Sequence, residues 1–204
     1  PMELTFDPAS HQYAIDGVPV PSVTQLVAPL GADLDEPDPL LEGALDTAAE
    51  RGITMHDYLA HRLRGGLRAD YELPDEYAPY ADAADMLLAE HDIQPLLIEQ
   101  PLAGDGFAGT PDLVADFDGV PTILDYKFVS QVAKSKVAAQ LAGYLNLCEL
   151  NEVYPQALTA VQFLSCDYRL YPVNVEWGRK AFACCRALYT LKIEKHPRGC
   201  IGKE

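Results

Sequence analysis

The chain lacks any apolar stretch long enough to span a membrane, any basic-then-apolar leader and any low-complexity run. A membrane helix needs about 20 consecutive apolar residues, and a secretory leader joins a basic segment to an apolar one. With 204 residues and 49% hydrophobic content, the chain is long enough to bury a full core. We therefore expect one domain over residues 1–204, in the cytoplasm and without a membrane partner. Pro1 before Met2 is interpreted as a cloning remnant and is left out of the fold prediction.

Cysteine is absent before Cys148, and the chain has an odd number, five. The adjacent pair Cys184 and Cys185 falls on a predicted helix, where neighbouring side chains point in different directions. These features argue against a disulfide framework and favour buried, reduced thiols. The cysteines are Cys148, Cys166, Cys184, Cys185 and Cys200.

Basic residues are scarce, because 15 Lys and Arg face 31 Asp and Glu and the net charge is −16. Such a charge repels a polyanion, whereas nucleic-acid-binding proteins usually carry a basic footprint. The distribution is uneven. Acidic residues crowd one Pro-containing segment, namely Asp33, Asp35, Glu36, Asp38, Glu42 and Asp46, while basic residues surround a predicted helix and follow a predicted strand, namely Arg51, Arg62, Arg64, Arg68, Lys134 and Lys136. A local basic rim on an acidic body is compatible with DNA binding at low salt.

A β-hairpin is predicted around Asp118-Gly119, since Asp-Gly between two apolar runs is a strong signal for a tight two-residue turn. A turn centred on these residues places Asp112 directly opposite Asp125. Because side chains alternate along a strand, Asp125 and Lys127 share one face. Facing carboxylates are destabilising unless a cation lies between them. An Asp, an Asp and a Lys on one face therefore predict a site for a divalent metal that acts on phosphodiesters.

The hairpin strands carry apolar residues on both faces, which is typical of a sheet covered on both sides. Hydrophobic periodicity and turn residues predict an α/β protein with a central mixed sheet flanked by helices. The N-terminal β element is expected at about residues 3–24 and the core at about residues 46–192. The predicted strands are Leu4–Phe6, Gln12–Ile15, Val18–Val20, Leu96–Leu102, Ala160–Leu164 and Arg169–Val175. The predicted helices run from Ser22 or Thr24 to Leu30, and over Asp46–Leu63, Pro74–Glu90, Val132–Leu150 and Trp177–Lys192.

Four ordered motifs resemble those of the PD-(D/E)XK nuclease superfamily, in its RecB-like and phage-exonuclease branch. The core match is Gly109-Thr110-Pro111-Asp112 followed by Leu124-Asp125-Tyr126-Lys127. Gln140-x-x-x-Tyr144 follows on a predicted helix, and Arg51-Gly52-x-x-x-His56 precedes on another. The N-terminal match consists of His11-Gln12-Tyr13, Asp16-Gly17 and Pro21-Ser22-Val23-Thr24. The resemblance runs from about residue 6 to residue 144 and implies a restriction-endonuclease-like core.

The resemblance implies roles for the individual residues. Asp112, Asp125, His56 and the backbone carbonyl of Tyr126 would hold Mg²⁺ or Mn²⁺, because carboxylates are hard ligands and a nitrogen ligand favours Mn²⁺. Lys127 would polarise the scissile phosphate and orient or help deprotonate the attacking water. Glu99, one strand upstream, would help to bind metal or water. Residues that would support the site or contact DNA are Gln140, Tyr144, Arg51, Lys134 and Lys136. Outside this context, His11, His61, His91 and His196 are interpreted as structural or surface residues.

The sequence thus predicts a metal-dependent deoxyribonuclease of bacterial or phage origin, most simply an exonuclease of recombination, replication or repair. DNA with free ends would be its substrate, and partner proteins and self-association stay open. One alternative is a DNA-binding protein that keeps the fold without the chemistry. Another is a RecB-like nuclease with an iron–sulfur cluster, although such relatives place one Cys ahead of the core and this chain has none there. A third is a carboxylate-metal hydrolase of small phosphoesters.

Overall fold

A computed structural model describes residues 3–7, 10, 12–30 and 42–193, with side chains over residues 49–192 of the last range. The strands are β1 (Leu4–Asp7), β2 (Gln12–Ile15), β3 (Val18–Val20), β4 (Ile93–Ile98), β5 (Leu102–Gly104), β6 (Phe107–Gly109), β7 (Leu113–Phe117), β8 (Val120–Lys127), β9 (Ala157–Leu164) and β10 (Asp167–Pro172). The α-helices are α1 (Val23–Val27), α2 (Glu42–Leu63), α3 (Ala78–Glu90), α4 (Lys134–Leu150) and α5 (Val175–Ile193). Within the described ranges, no helix combines the length and apolar character needed to cross a membrane.

The central sheet has five strands in the order β10-β9-β8-β7-β4. The β8/β9 pair is parallel and the other three pairs are antiparallel, so the sheet is mixed as predicted. The predicted hairpin register is also confirmed, because Leu113 pairs with Leu124 and Phe117 with Val120. Asp118 (φ 52°) and Gly119 (φ 83°) form the turn between β7 and β8. Two consecutive positive φ values characterise the tight turn that matches the twist of paired strands.

Hydrophobic cores cover both faces of this sheet, as the apolar hairpin strands predict. Val114 and Ile123 pack into one core together with residues of α1, α4 and α5. Leu113 and Leu124 point to the opposite face and pack into a second core with residues of α2 and α3. The alternation follows from the two-residue period of a strand. It places Asp125 and Lys127, two and four residues beyond Ile123, on the α4 side of the sheet.

The N-terminal β element is a separate three-stranded sheet in the order β1-β2-β3. Ser22 caps α1 through a reciprocal capping box, since its hydroxyl accepts from the Gln25 N–H at 3.0 Å and its own N–H donates to Gln25 Oε1 at 2.8 Å. The Tyr13 hydroxyl lies 2.8 Å from the Thr110 hydroxyl. Tyr13, from one of the N-terminal motif segments, therefore holds the element against the chain just before Asp112.

The prediction of a strand over Leu96–Leu102 is wrong. Strand β4 ends at Ile98, and Glu99 adopts φ 47° before a new strand begins at Leu102. A bulge between Pro95 and Leu97, and Pro101, which has no N–H to donate to a ladder, interrupt the strand there. Other bounds move by a few residues: α2 begins at Glu42, β9 at Ala157 and β10 at Asp167. The acidic residues from Asp33 to Asp38 lie outside the described residues.

Candidate metal centre

Three elements bring a histidine and two carboxylates together at one end of the central sheet. His56 comes from α2, Glu99 from the turn after β4, and Asp112 from the residue before β7. His56 Nδ1 lies 3.3 Å from Glu99 Oε1 and 3.3 Å from Asp112 Oδ1. One donor atom from each residue lies within 4.8 Å of the others, a spacing that a single metal ion can bridge. Among the described residues this is the one group of three or more such donors.

Backbone geometry fixes the position of Glu99. Its N–H donates to the carbonyl of Asp112 at 3.1 Å, although its φ of 47° lies in the left-handed region that glycine prefers. A non-glycine residue in this conformation carries a strain of order 1–2 kcal/mol, and such strain concentrates at functional sites. The hydrogen bond therefore holds the Glu99 carboxylate against His56.

The three donors perturb each other's protonation strongly. Burial opposes a charge on His56, but the Asp112 and Glu99 carboxylates outweigh it and raise its pKa to about 10. Burial would also raise the pKa of Asp112, yet His56, Lys127 and the Tyr126 N–H together hold it below its usual value. For Glu99, burial and the Asp112 charge raise the pKa despite His56. The cluster thus demands positive charge, which the His56 proton supplies and which a divalent cation can replace.

Asp125 and Lys127 form an ion pair beside this group. Asp125 Oδ2 lies 2.7 Å from Lys127 Nζ, and the Asp125 side chain is 1% exposed. Its other oxygen, Oδ1, is buried with no hydrogen-bond partner among the described residues. Burial, with the nearby Asp112 charge, raises the Asp125 pKa to about 6, although Lys127 acts in the opposite direction. A buried carboxylate with a free oxygen fits a residue that completes a metal site, since such groups rarely stay unsatisfied.

The backbone of Tyr126 joins Asp112 to β8. Its N–H donates to Asp112 Oδ2 at 2.6 Å. Because the N–H and C=O of one strand residue point to the same side, the Tyr126 carbonyl is directed to the edge of β8 where Asp112 lies. This orientation is the one that its predicted role as a metal ligand requires.

Gln140 and Tyr144 extend the network from Lys127 onto α4. Gln140 Oε1 lies 3.4 Å from Lys127 Nζ, and Gln140 Nε2 donates to the Tyr144 hydroxyl at 3.0 Å. The Tyr144 ring packs against Gly109, where an added Cβ would come 2.9 Å from Tyr144 Cε1 and 3.0 Å from Val23 Cγ2. The glycine that begins the Gly-Thr-Pro-Asp segment is thus the residue that makes room for this tyrosine.

The predicted basic residues occupy different positions. Arg51 donates to the Phe128 carbonyl at 2.8 Å and its guanidinium lies 4.7 Å from the Tyr80 ring centroid, so it braces the end of β8. Lys134 is exposed at the start of α4, with Nζ 5.6 Å from the Tyr171 ring centroid. Lys136 lies in the same first turn of α4 and is partly buried. The structure brings His56, Glu99 and Asp112 together beside the Asp125–Lys127 pair, whereas Lys134 and Lys136 lie at the start of α4.

The cysteines and the remaining histidines lie apart from the three-donor group. The prediction of buried thiols is confirmed for Cys148 and Cys185 and is wrong for Cys166 and Cys184, which are exposed. Burial raises the pKa of Cys148 to about 12. His61 Nε2 lies 3.0 Å from the Leu67 carbonyl, and His91 Nδ1 lies 2.6 Å from Asp118 Oδ2. His11, His196 and Cys200 lie outside the described residues.

Sequence reasoning missed Gln162, which anchors the segment that follows β8. Gln162 pairs with Lys127 across the parallel β8/β9 ladder. Its side-chain amide donates to the carbonyls of Val129 at 2.8 Å and Ser130 at 3.0 Å. The signal was a glutamine in an otherwise apolar buried strand, because a buried amide must find hydrogen-bond partners.

No family model matches the chain, and no curated protein matches it by sequence. Among solved structures it is similar to the crystal structure of SSO0001, with 16% identity, a TM-score of 0.45 and coverage of 87% of this chain and 77% of that one. It is also similar to LHK-Exo in complex with dAMP, with 14% identity, a TM-score of 0.39 and coverage of 85% and 88%. A third similar structure is the alkaline exonuclease LHK-Exo from Laribacter hongkongensis, with 13% identity, a TM-score of 0.36 and coverage of 71% and 81%. At these values the functional argument rests on the side chains of the site.

Proposed function

We propose that the chain is a nuclease that uses a divalent metal, Mg²⁺ or Mn²⁺, to hydrolyse DNA phosphodiester bonds, and that it works as an exonuclease. The observation that carries the proposal is the convergence of His56, Glu99 and Asp112 beside the buried Asp125–Lys127 pair. Two carboxylates and an imidazole suit a hard divalent cation, and a lysine next to them suits a phosphate.

The contacts among the motif residues support the resemblance to PD-(D/E)XK nucleases. His56 meets Asp112, Tyr13 meets Thr110, Gly109 meets Tyr144, and Lys127 meets Gln140. These four contacts join segments that are far apart in sequence. A chance match of short motifs would not be expected to place all of them in contact around one carboxylate cluster.

The metal ligands would be His56, Glu99 and Asp112, with Asp125 and the Tyr126 carbonyl completing the set. When bound, the cation would supply Lewis-acid stabilisation of the phosphate and lower the pKa of a water molecule. Lys127 would donate to a non-bridging phosphate oxygen and stabilise the negative charge that develops there. Asp125 contacts the Lys127 ammonium group from one side, and Gln140 contacts it from the other. The ammonium group is therefore oriented before substrate arrives.

The net negative charge of the protein favours binding of free DNA ends over binding at internal sites of a duplex. A net charge of −16 opposes the long electrostatic contact that an internal duplex site requires, whereas a strand end can enter a narrow site with few phosphate contacts. The few local basic contacts that hold the DNA are weakened by salt, so the proposed activity should be strongest at low ionic strength, with a shallow salt dependence.

The test is cleavage of end-labelled linear DNA and of closed circular plasmid, with Mg²⁺, Mn²⁺ or EDTA. We expect linear DNA to be degraded from its ends only with a divalent metal, and Asp112→Asn to lose the activity. Asp75→Asn, which makes the same charge change at an exposed residue, is the matched control. Metal-dependent nicking of the plasmid by the wild type and not by Asp112→Asn would replace the exonuclease by an endonuclease.

Three further outcomes address the alternatives. DNA binding without cleavage under any metal condition would leave a binding protein of the same fold. Rapid hydrolysis of a small phosphodiester such as bis(4-nitrophenyl) phosphate, with DNA untouched, would identify a small-phosphoester hydrolase. Brown colour and iron in the purified protein would establish the iron–sulfur alternative.

A further inference from the structure

A cleft of about 400 Å³ opens on the α4 side of the sheet. Its walls come from the start of α4, the end of β10 and the start of α5. The side chains that matter here are Lys134, Tyr171, Asn174 and Trp177. Its volume lies within the range of sites that hold a small molecule or one nucleotide, about 300–1,000 Å³.

Strand register connects this cleft to Lys127. Lys127 is the Cα partner of Gln162 in the β8/β9 ladder, and the Tyr171 hydroxyl on β10 donates to Gln162 Oε1 at 3.0 Å. Tyr171 thus lies two strands from β8. Since neighbouring strands are about 4.8 Å apart, its backbone is about 10 Å from that of the catalytic strand. A DNA strand that presents a phosphate to Lys127 can reach the cleft within a few nucleotides.

The cleft combines an exposed aromatic surface with a cation. Trp177 is 47% exposed, which is high for the largest apolar side chain. Its backbone N–H donates to Asn174 Oδ1 at 2.8 Å, so the start of α5 holds it in place. Lys134 has no ion-pair partner among the described residues, and its Nζ lies near the outer limit of a cation–π contact with Tyr171. An aromatic platform beside a free cation is the arrangement by which proteins bind single-stranded nucleic acid.

The local charges favour a polyanion over a basic protein segment. Glu176 is the acidic neighbour of Trp177, and it is engaged by Lys180 at 2.7 Å. Lys134 is the one charged residue among the described residues that line the cleft, whereas the body of the chain is acidic. A basic partner would be attracted elsewhere on the surface and repelled here.

We propose that this cleft binds a base and the adjoining phosphate of a single DNA strand whose reacting phosphodiester lies at Lys127. The inference rests on the proposed nuclease function and names a substrate subsite for it. The base stacks on Trp177, and Lys134 turns from the Tyr171 ring to the phosphate. Such a subsite would bind a single strand. The two strands of a duplex would therefore have to separate at the end before cleavage.

Intrinsic fluorescence tests the subsite directly, because Trp177 is the one tryptophan of the sequence. The full-length protein is titrated in EDTA with a 12-nucleotide oligothymidylate and with a duplex of equal length. We expect the single strand to quench Trp177 and the blunt duplex to have a much smaller effect. In parallel, the anisotropy of a labelled oligothymidylate measures affinity for variants that lack the tryptophan.

We expect Trp177→Ala to weaken oligothymidylate binding at least about fivefold, as removal of one stacking platform typically does. Lys134→Ala should weaken binding as well. It should also reduce the slope of log K against log salt by the amount that corresponds to about one phosphate contact. Matched controls are Tyr154→Ala, an aromatic that is more exposed than Trp177 and lies at another surface, and Lys192→Ala, which lies about 22 Å along α5 from Trp177. Both controls should bind as the wild type does. Thermal melting checks that each variant is folded.

The failures of the two proposals are distinguishable. If the wild type degrades linear DNA with Mn²⁺ while Trp177→Ala and Lys134→Ala, both folded, bind and cleave like it, the subsite is refuted and the nuclease stands. If oligothymidylate quenches Trp177 and the variants lose binding but no metal supports cleavage, the subsite stands and the nuclease does not. Absence of quenching by any oligonucleotide overturns the subsite and leaves the cleft to a protein partner.

Discussion

Replacing Lys127 by Met removes the charge that balances a buried carboxylate while keeping most of the side-chain volume. In the metal-free protein, Asp125 would then lose its ion-pair partner at 2.7 Å. Its Oδ1 already lacks a hydrogen-bond partner among the described residues. The variant therefore tests whether Lys127 and Asp125 form one electrostatic unit, which the proposed orientation of the lysine requires.

The expected loss in the free energy of unfolding is large for the substitution of one partly exposed lysine. Removing one partner of a buried ion pair costs about 3–5 kcal/mol, because the remaining charge stays uncompensated. Lys127 is 22% exposed and Asp125 1% exposed, so we take the lower end of that range. For a protein of this size, about 3 kcal/mol lowers Tm by about 6–12 °C. The measurement is calorimetric melting in EDTA at pH 7.5.

A second substitution and a change of pH sharpen the test. Asp125→Asn in the Lys127→Met background removes the unpaired charge, so the double variant should recover much of the lost Tm. The Asp125 pKa is raised by burial to about 6, and loss of the lysine raises it further. Since the unfolded carboxyl has a lower pKa, folding takes up a proton, and Lys127→Met should gain stability relative to the wild type as pH falls from 7.5 to 5. A Tm within 2 °C of wild type for Lys127→Met at pH 7.5, with no recovery in the double variant, would refute the reasoning.

Two further predictions concern packing and thiol exposure. Gly109→Ala should cost about 1–3 kcal/mol of stability, because its Cβ would overlap the Tyr144 ring. Gly52→Ala, whose Cβ meets nothing within 4 Å, should leave Tm unchanged or raised. Equal melting temperatures of the two variants would contradict the close approach of Gly109 to Tyr144. Iodoacetamide should modify the exposed Cys166 in the folded protein but Cys148 only after unfolding, because Cys148 is buried and burial raises the pKa of its thiol to about 12. Peptide mass mapping measures the modification of each thiol. Equal rates at both thiols would contradict the prediction.

The sequence was sufficient to predict the hairpin because its turn has a local chemical cause. Asp118 and Gly119 both tolerate positive φ, and this turn fixes the register that brings Asp112 towards Asp125. The apolar runs on either side were also sufficient to predict a sheet covered on both faces. Local propensity and the two-residue period act within a few residues, so neither prediction needed tertiary information.

The geometry around Glu99 and Lys127 could not be read from the sequence in the same way. Strand propensity continues through Glu99, but the backbone turns there because of the bulge at Pro95 and the proline at position 101. Strand alternation places Asp125 and Lys127 on one face, yet only the packing of α4 decides that Lys127 folds back onto Asp125. The sequence likewise predicts that Arg51 belongs to a basic rim, whereas in the fold its guanidinium donates to the Phe128 carbonyl. These outcomes depend on contacts between distant segments.

The central claim is that His56, Glu99 and Asp112 hold a divalent cation beside the Asp125–Lys127 pair. Anomalous diffraction from a crystal of the full-length protein soaked in Mn²⁺, with an Asp112→Asn crystal as control, tests it most directly. The account predicts one strong manganese peak within coordination distance of the His56, Glu99 and Asp112 donors, and its loss in the control. A wild-type crystal with no peak there, or with manganese bound only elsewhere, would contradict it.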